Sequence, residues 1–314
     1  MDRRDFIGSA ARAGLLLGGW GLAARAVAQA ASGGVTATDL RGGLLQFTGA
    51  GGNVVGLRAG DGVVLVDSGA PDRAAELLKL ADQRFGGAPV QLLFNTHWHL
   101  EHTGGNDAIG AAGAKIVAHE NTRLWMSIDY YIDWQDRTYP ARAPEALPTE
   151  TFFSSDPQPI EHSFGGERIV YGHLREAHTD GDIYVHFPDR NVIAAGGAVT
   201  VGEYPVLDYI TGGWIGGLID ATSKLIDMSD DETLIVPQSG PAQKRDYLTA
   251  QKEMLETVQT RIEEMAHQGK GIDDMVAANI TAEFDARWGS NSELFLSNAY
   301  KGMWWGGRMR GIVA

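Results

Sequence analysis

The stretch FNTHWHLEHTGGN, residues 94 to 106, sets His97, His99, Glu101 and His102 inside six positions of a chain that has nine histidines. That concentration of imidazole and carboxylate is metal-binding chemistry. His97 and His99 alternate on an extended or tightly turning segment, so both rings can face the same way, while Glu101 and His102 fall on the following turn. Zinc accepts neutral imidazole nitrogen at roughly 2.0 to 2.1 Å, and a catalytic site combines three protein ligands with a fourth position for water. Two ligands are therefore local and the third must come from elsewhere. REAHTDGD offers His178 at the end of another predicted strand, followed by a turn with Asp180 and Asp182. The chain has no cysteine, which excludes disulfides, thiolate metal sites and a cysteine nucleophile.

The elements that must position these residues are legible in outline. NVVGLRAGDGVVLVDSG alternates β-rich runs about a Gly-Asp-Gly turn, the pattern of a hairpin. PDRAAELLKLADQRFGG reads as a helix, with apolar residues at helical spacing and a Gly-Gly stop. PVQLLFNT then reads as a buried strand whose end delivers the histidines. A second round has strands at ERIVYGHL, DIYVHFP and NVIAAGG, a helix at GGLIDATSKLIDMSDDE and a strand at TLIVP. The order β-β-α-β then β-β-β-α-β suggests two similar halves packed as two sheets with helices outside, an αββα sandwich. KRDYLTAQKEMLETVQTRIEEMAHQGK predicts a long helix and IDDMVAANI a shorter one, a C-terminal helical extension covering one sheet. Residues 123 to 153, rich in aromatics and proline, break the rhythm and read equally as a lid or as a surface excursion anchored by its aromatics.

At 314 residues the chain can bury a substantial core. Its formal charge of -14, with no Lys/Arg run, repels phosphate backbones, so nucleic acid is not an expected partner. Residues 1 to 30 read as an export signal: DRRDFIG supplies paired arginines, LLLGGWGLAA a short apolar stretch, and AVAQAA small residues for cleavage after Ala28 or Ala30. The segment is too short and glycine-rich for a good membrane span. Arg3 and Arg4 with Phe6 resemble the twin-arginine signal, a Sec-type signal with an accidental arginine pair being the alternative. The expectation is a periplasmic or secreted protein, residues 31 to 314, with no stable membrane anchor after processing. Its oligomeric state is not legible.

THWHLEHTGGN resembles the H-x-H-x-D-H signature of the metallo-β-lactamase superfamily, AHTDGD its later metal-histidine motif, and VVLVDSG its early strand ending in a structural aspartate, here Asp67. The resemblance runs from about residue 45 to about 245. It implies a four-layer αββα sandwich with metal at the sandwich edge, and His97, His99 and His178 as the ligands of a first metal. In that family a second metal is held by the Asp and last His of the signature, by an Asp or Cys after a later strand, and by a His in a PGHGP-like loop. Here those positions hold Glu101, His102, Gly197 and Ser239. One zinc is therefore expected, with the second site weak or empty. Gly197→Asp together with Ser239→His is expected to raise the metal content toward two.

The resemblance implies a zinc-dependent hydrolase that uses zinc-bound hydroxide on a small amide, lactam, lactone or (thio)ester. Glu101 could orient that water, act as general base, or instead fix one of the histidines. His102 could hydrogen-bond or protonate the leaving group, or be a turn histidine. Ser239 could contact substrate, and Asp182 caps the turn behind His178. Trp98, Trp125, Tyr130, Tyr131 and Trp134 favour an apolar or ring-bearing substrate. The alternatives are a non-catalytic metal- or ligand-binding descendant, which Gly197 and Ser239 also fit, and a mononuclear iron redox enzyme. Relatives of that last kind have an Asp where this chain has Gly197. His119 and His186 read as strand-end or core histidines, and His162, His173 and His267 show no partner pattern.

Overall fold

The β-rich run after residue 53 turns at Gly60, which takes a left-handed φ of 63°, and closes β3 (Val54–Ala59) antiparallel onto β4 (Gly62–Val66). The helix Ala74–Phe85 follows and stops at Gly86, also left-handed at φ 66°. The chain then returns as β5 (Val90–Phe94), parallel to β4. In this computed structural model the described residues are 33–153, 159–289 and 292–309; the segment read as an export signal, with its paired arginines, lies outside them. From Val35 the chain forms one compact unit.

Two sheets result. The first runs β1-β2-β3-β4-β5-β6-β9, adding β1 (Thr36–Arg41), β2 (Leu44–Thr48), β6 (Lys115–His119) and β9 (Glu150–Phe152). The second runs in sequence order through β10 (Ile160–Phe164), β11 (Glu167–His173), β12 (Ile183–Phe187), β13 (Val192–Gly196) and β14 (Leu234–Pro237).

The strand period of two divides each apolar run between two cores. On β4, Val64 and Val66 face the other sheet, while Val63 and Leu65 face outward onto Leu77, Ala81 and Phe85 of the first helix. On β12, Ile183, Val185 and Phe187 meet the first sheet, whereas Tyr184 joins the outer cluster. That cluster contains Leu218 and Leu225 of the helix Ile215–Asp227, Leu248 to Ile262 of the helix Arg245–His267, and Phe295 to Ala299 of the helix Glu293–Met309. The layers are therefore α, β, β, α, as the sequence order predicts. No described helix is long and apolar enough to cross a membrane.

Three features were not anticipated: the hairpin partners β1 and β2, the strand β10, and the C-terminal helix Glu293–Met309. The aromatic segment also has structure of its own. It forms the helix Glu120–Met126, a small hairpin of β7 (Tyr130–Ile132) and β8 (Arg137–Tyr139), and the edge strand β9. Met126, Tyr130 and Ile132 bury against Trp98, so the segment is an anchored element, although Tyr131 at its tip is half exposed.

His119, at the end of β6, stacks face to face on His173, at the end of β11, with ring centroids 3.9 Å apart. His119 Nδ1 accepts the Asn121 amide at the start of the helix Glu120–Met126, and His173 Nε2 donates to the Asp180 carbonyl at 2.9 Å. The charged groups near His173 are Lys224 and Arg175. Burial lowers both imidazoles below their ordinary value, His119 to about 3 with the His173 ring adding to the effect, and His173 with Lys224 and Arg175 adding to it against the Asp180 carbonyl bond. A histidine whose folded pKa is depressed stabilises fully above its unfolded pKa of about 6.5 and loses that contribution as pH falls toward the folded value. Urea unfolding from about pH 8 to about pH 4 is therefore expected to show a midpoint that drops below about pH 6.5. His119→Asn, which keeps a capping acceptor, should drop less steeply; parallel curves for the two proteins would acquit the stack.

Candidate metal centre

β5 ends at Phe94, and the chain crosses the sheet edge as Asn95-Thr96-His97-Trp98-His99 before the one-turn helix Leu100–Thr103. His178 arrives from the loop between β11 and β12. His97, His99 and His178 are buried, and one ring nitrogen of each lies within 4.8 Å of the others. This is the convergence that the H-x-H and AHTDGD stretches predict. The His99–His178 contact, at 2.9 Å, is slightly closer than the roughly 3 to 3.5 Å separation of tetrahedral zinc ligands.

The hydrogen bonds show which nitrogen each ring offers. His178 Nδ1 meets the Val206 carbonyl, which can only accept, so Nδ1 carries the proton and Nε2 has the lone pair. His99 Nε2 lies 3.1 Å from the Asp208 carboxylate, so its proton is on Nε2 and its lone pair on Nδ1. The two lone pairs, His178 Nε2 and His99 Nδ1, face each other at 2.9 Å. His97 Nδ1 lies 3.0 Å from the Thr96 hydroxyl, and its Nε2 is buried without a partner. Burial and the neighbouring imidazoles lower His97 well below the ordinary histidine value, and His178 is lowered for the same reasons. Neutral rings with converging lone pairs fit a divalent cation bound by nitrogen.

Asp208 is the functional residue that the sequence reading missed. Its carboxylate is fully buried and bonded to His99 and to the Thr211 amide. Burial raises its carboxyl, but the His99 bond and charge outweigh that and hold it below the ordinary value. The signal was present as a single acid inside the apolar run PVLDYI, since an acid buried there requires a partner.

The remaining candidates take varied places. Glu101 is half exposed, with an oxygen 3.9 Å from His99 Nδ1. Burial raises its carboxyl, but His99, His102 and its own amide outweigh that and hold it low. His102 is 1% exposed, with Nδ1 on Asp67 at 2.8 Å, and Gly52 lies flat against its ring, so close that a Cβ there would stand 2.5 Å from Cε1. Asp182 caps the turn by accepting the Thr179 amide. Its other oxygen is unpartnered, and burial pushes its carboxyl far up. Ser239 donates to Glu203 at 3.4 Å and is not among the converging groups. Trp98, between two ligand histidines, packs edge-on against His99 and donates to Thr211. Trp125 ties the aromatic segment to the Asp180 carboxylate at 2.8 Å.

The second-site positions change meaning in three dimensions. A Cβ on Gly197 would stand 2.3 Å from Cδ2 of His178, so the missing side chain is what lets the His178 ring lie where it does. An aspartate in place of Gly197 would have to displace that ring, which argues against rebuilding a second site with Gly197→Asp and Ser239→His. Gly197→Ala should lower metal affinity roughly 10-fold or more by displacing a ligand. Gly197→Asp combined with Ser239→His should leave metal content at or below one equivalent by elemental analysis. A rise to two equivalents would show that the loop yields to the added side chain.

Comparison with known proteins agrees with this geometry. The family model of the metallo-beta-lactamase superfamily matches residues 47–245. A hydroxyacylglutathione hydrolase of Erythrobacter litoralis is 37% identical over 62 residues, which cover 19% of this chain and 24% of that protein, so the match spans about a quarter of that relative. The structure of a metallo-beta-lactamase from Pontibacter korlensis superposes with a TM-score of 0.53 at 19% identity, covering 71% of this chain and 93% of that one. The sec-alkylsulfatase Pisa1 from a Pseudomonas species gives a TM-score of 0.64 at 16% identity, covering 89% of this chain and 51% of that one. At such identities the two structures establish the fold. With the sandwich, the ordered motifs and the family match over residues 47–245 in agreement, the chain belongs to the metallo-beta-lactamase superfamily.

Proposed function

We propose that this protein is a mononuclear zinc-dependent hydrolase acting on a small amide, lactam, lactone or (thio)ester. The observation that carries the reading is the pair of lone-pair nitrogens, His99 Nδ1 and His178 Nε2, facing each other at 2.9 Å beside the unpartnered Nε2 of His97. Two acceptors at that distance repel unless they share a proton or a metal cation, and the unpartnered Nε2 of His97 beside them favours the metal. A family whose members are largely hydrolases supports the reaction class.

His97, His99 and His178 would hold zinc, and zinc so held would supply the acidification of water, lowering its pKa toward about 7. Asp208 and the Val206 carbonyl hold the protons of His99 and His178 away from that point. Glu101, ionised and half exposed with an oxygen 3.9 Å from His99, would accept a proton from a water that approaches His99 from solvent. His102 is enclosed by Gly52 and Asp67, so in this reading it holds Asp67 and does not reach a leaving group. Tyr139, half-buried and packed on the buried Trp98 with ring centroids 5.4 Å apart, would give this edge an apolar side suited to a ring-bearing substrate. The twin-arginine-like residues 1 to 30 support action in the periplasm or outside the cell.

Elemental analysis of the purified protein should find one equivalent of zinc, and chelation should abolish hydrolysis. Glu101→Gln should keep the zinc and reduce turnover of an accepted ester, lactone, thioester or lactam by roughly 10² to 10⁴-fold, the usual worth of a positioned base. Zinc binding with no turnover of any of these substrates by the parent would leave a metal-binding module. Iron in place of zinc would favour redox chemistry.

A further inference from the structure

Thr96 precedes the first ligand histidine, and nothing in the motif chemistry assigns it a task. It is 1% exposed and held on four sides. Its amide donates to Asp67 Oδ1 at 2.7 Å, its carbonyl accepts the Ile183 amide of the opposite sheet at 2.8 Å, and its hydroxyl donates to Asp67 Oδ2 at 2.7 Å. Gly196, left-handed at φ 51°, presses against its side chain, where a Cβ would stand 2.5 Å from both Cβ and Oγ1. The rotamer is therefore fixed by two sheets, a carboxylate and a glycine backbone.

A threonine hydroxyl has one proton. Given to Asp67, it cannot also be given to His97, so toward His97 Nδ1, 3.0 Å away, the oxygen can only accept. His97 must then carry its proton on Nδ1 and present a bare Nε2, the atom that is buried without a partner. Unlike His99, which meets Asp208 directly, His97 reaches its carboxylate through one intervening hydroxyl.

We infer that Thr96 is a positioning residue: its hydroxyl relays the negative charge of Asp67 to His97 Nδ1 and so fixes the tautomer and orientation that leave Nε2 free as a ligand. The consequence for metal affinity rests on the zinc reading above, whereas the consequence for the tautomer does not. Thr96→Val keeps the shape and removes the relay, and Thr96→Ser keeps the relay.

Nitrogen-15 NMR of the histidine rings in metal-free protein near neutral pH separates the two consequences. His97 should be protonated at Nδ1 in the parent and in Thr96→Ser, and should shift toward a mixed or Nε2-protonated ring in Thr96→Val. Zinc competition with a chromogenic chelator should give affinity roughly 10- to 100-fold weaker for Thr96→Val and near-parental for Thr96→Ser, the usual worth of a group that orients a metal ligand. An Nε2-protonated His97 in the parent overturns the relay whether or not any variant folds, as does an unchanged tautomer in Thr96→Val. Should the parent bind no zinc while the tautomer depends on the hydroxyl, the relay stands and the zinc reading falls.

Discussion

A buried carboxylate needs hydrogen-bond donors, and the arrangement of this molecule's functional edge follows from where Asp67 finds its own. Each unmet polar group in such a place costs about 1 to 3 kcal/mol, and more when it is charged. Asp67, left-handed at φ 65° just past the end of β4, is met by the amide and hydroxyl of Thr96 and by the His102 ring. Those bonds fold the peptide between β5 and the helix Leu100–Thr103 back across the sheet edge. The same fold-back swings His97 and His99 toward the loop from the second sheet. A non-glycine residue in left-handed backbone is sparsely populated and persists where surrounding bonds over-determine it, as they do here.

Around that edge the three candidate ligand rings are treated alike. Each has one nitrogen occupied by an acceptor: the Asp208 carboxylate for His99, the Val206 carbonyl for His178 and the Thr96 hydroxyl for His97. The other nitrogen of each ring faces the shared point. Burial keeps the rings of His97 and His178 neutral, which is the form a metal requires. Flat backbone makes the close packing possible, since Gly52, Gly196 and Gly197 lie against His102, Thr96 and His178 at distances no Cβ would tolerate. In this chain the loss of a side chain at position 197 and the tight seating of His178 are one fact.

The aromatic segment and the C-terminal helix reinforce the same edge from outside. Trp98 joins the segment's Tyr130 and Tyr139 to the ligand stretch, and Trp125 and Asn121 grip the Asp180 turn that follows His178. Tyr209, beside Asp208, donates to Asp133 of the segment at 2.6 Å and lies under Lys301 of the last helix. The second acceptor of the site is therefore carried on a loop braced by two elements that the strand and helix periodicities do not connect. Movement of the segment would be felt at Asp208 and hence at His99.

Much of this was legible in residue order, for reasons of local physics. The period of two in VVLV and DIYVHF fixed which faces of β4 and β12 meet the opposite sheet, and Gly60 and Gly86 marked turns that only left-handed backbone can make. The spacing of His97 and His99, with the later AHTDGD, was enough to name the three histidines that converge, because alternation on an extended chain is itself a geometric statement. Short strands such as β7 to β9 and the helix Glu293–Met309 lay beyond that reach, since their apolar residues gain stability only from partners distant in the chain. The same limit applied to the roles of single residues. Asp208, Thr96 and the enclosure of His102 depend on contacts between segments separated by 35 or more positions, as in the His99–Asp208 and His102–Asp67 bonds, or on one hydroxyl's choice of acceptor. Sequence determined which groups could bind a metal, because residue type and spacing are covalent facts; tertiary structure decided which nitrogen each presents and which neighbouring position has room for a side chain, because hydrogen-bond direction and van der Waals contact exist only once the sheets have closed.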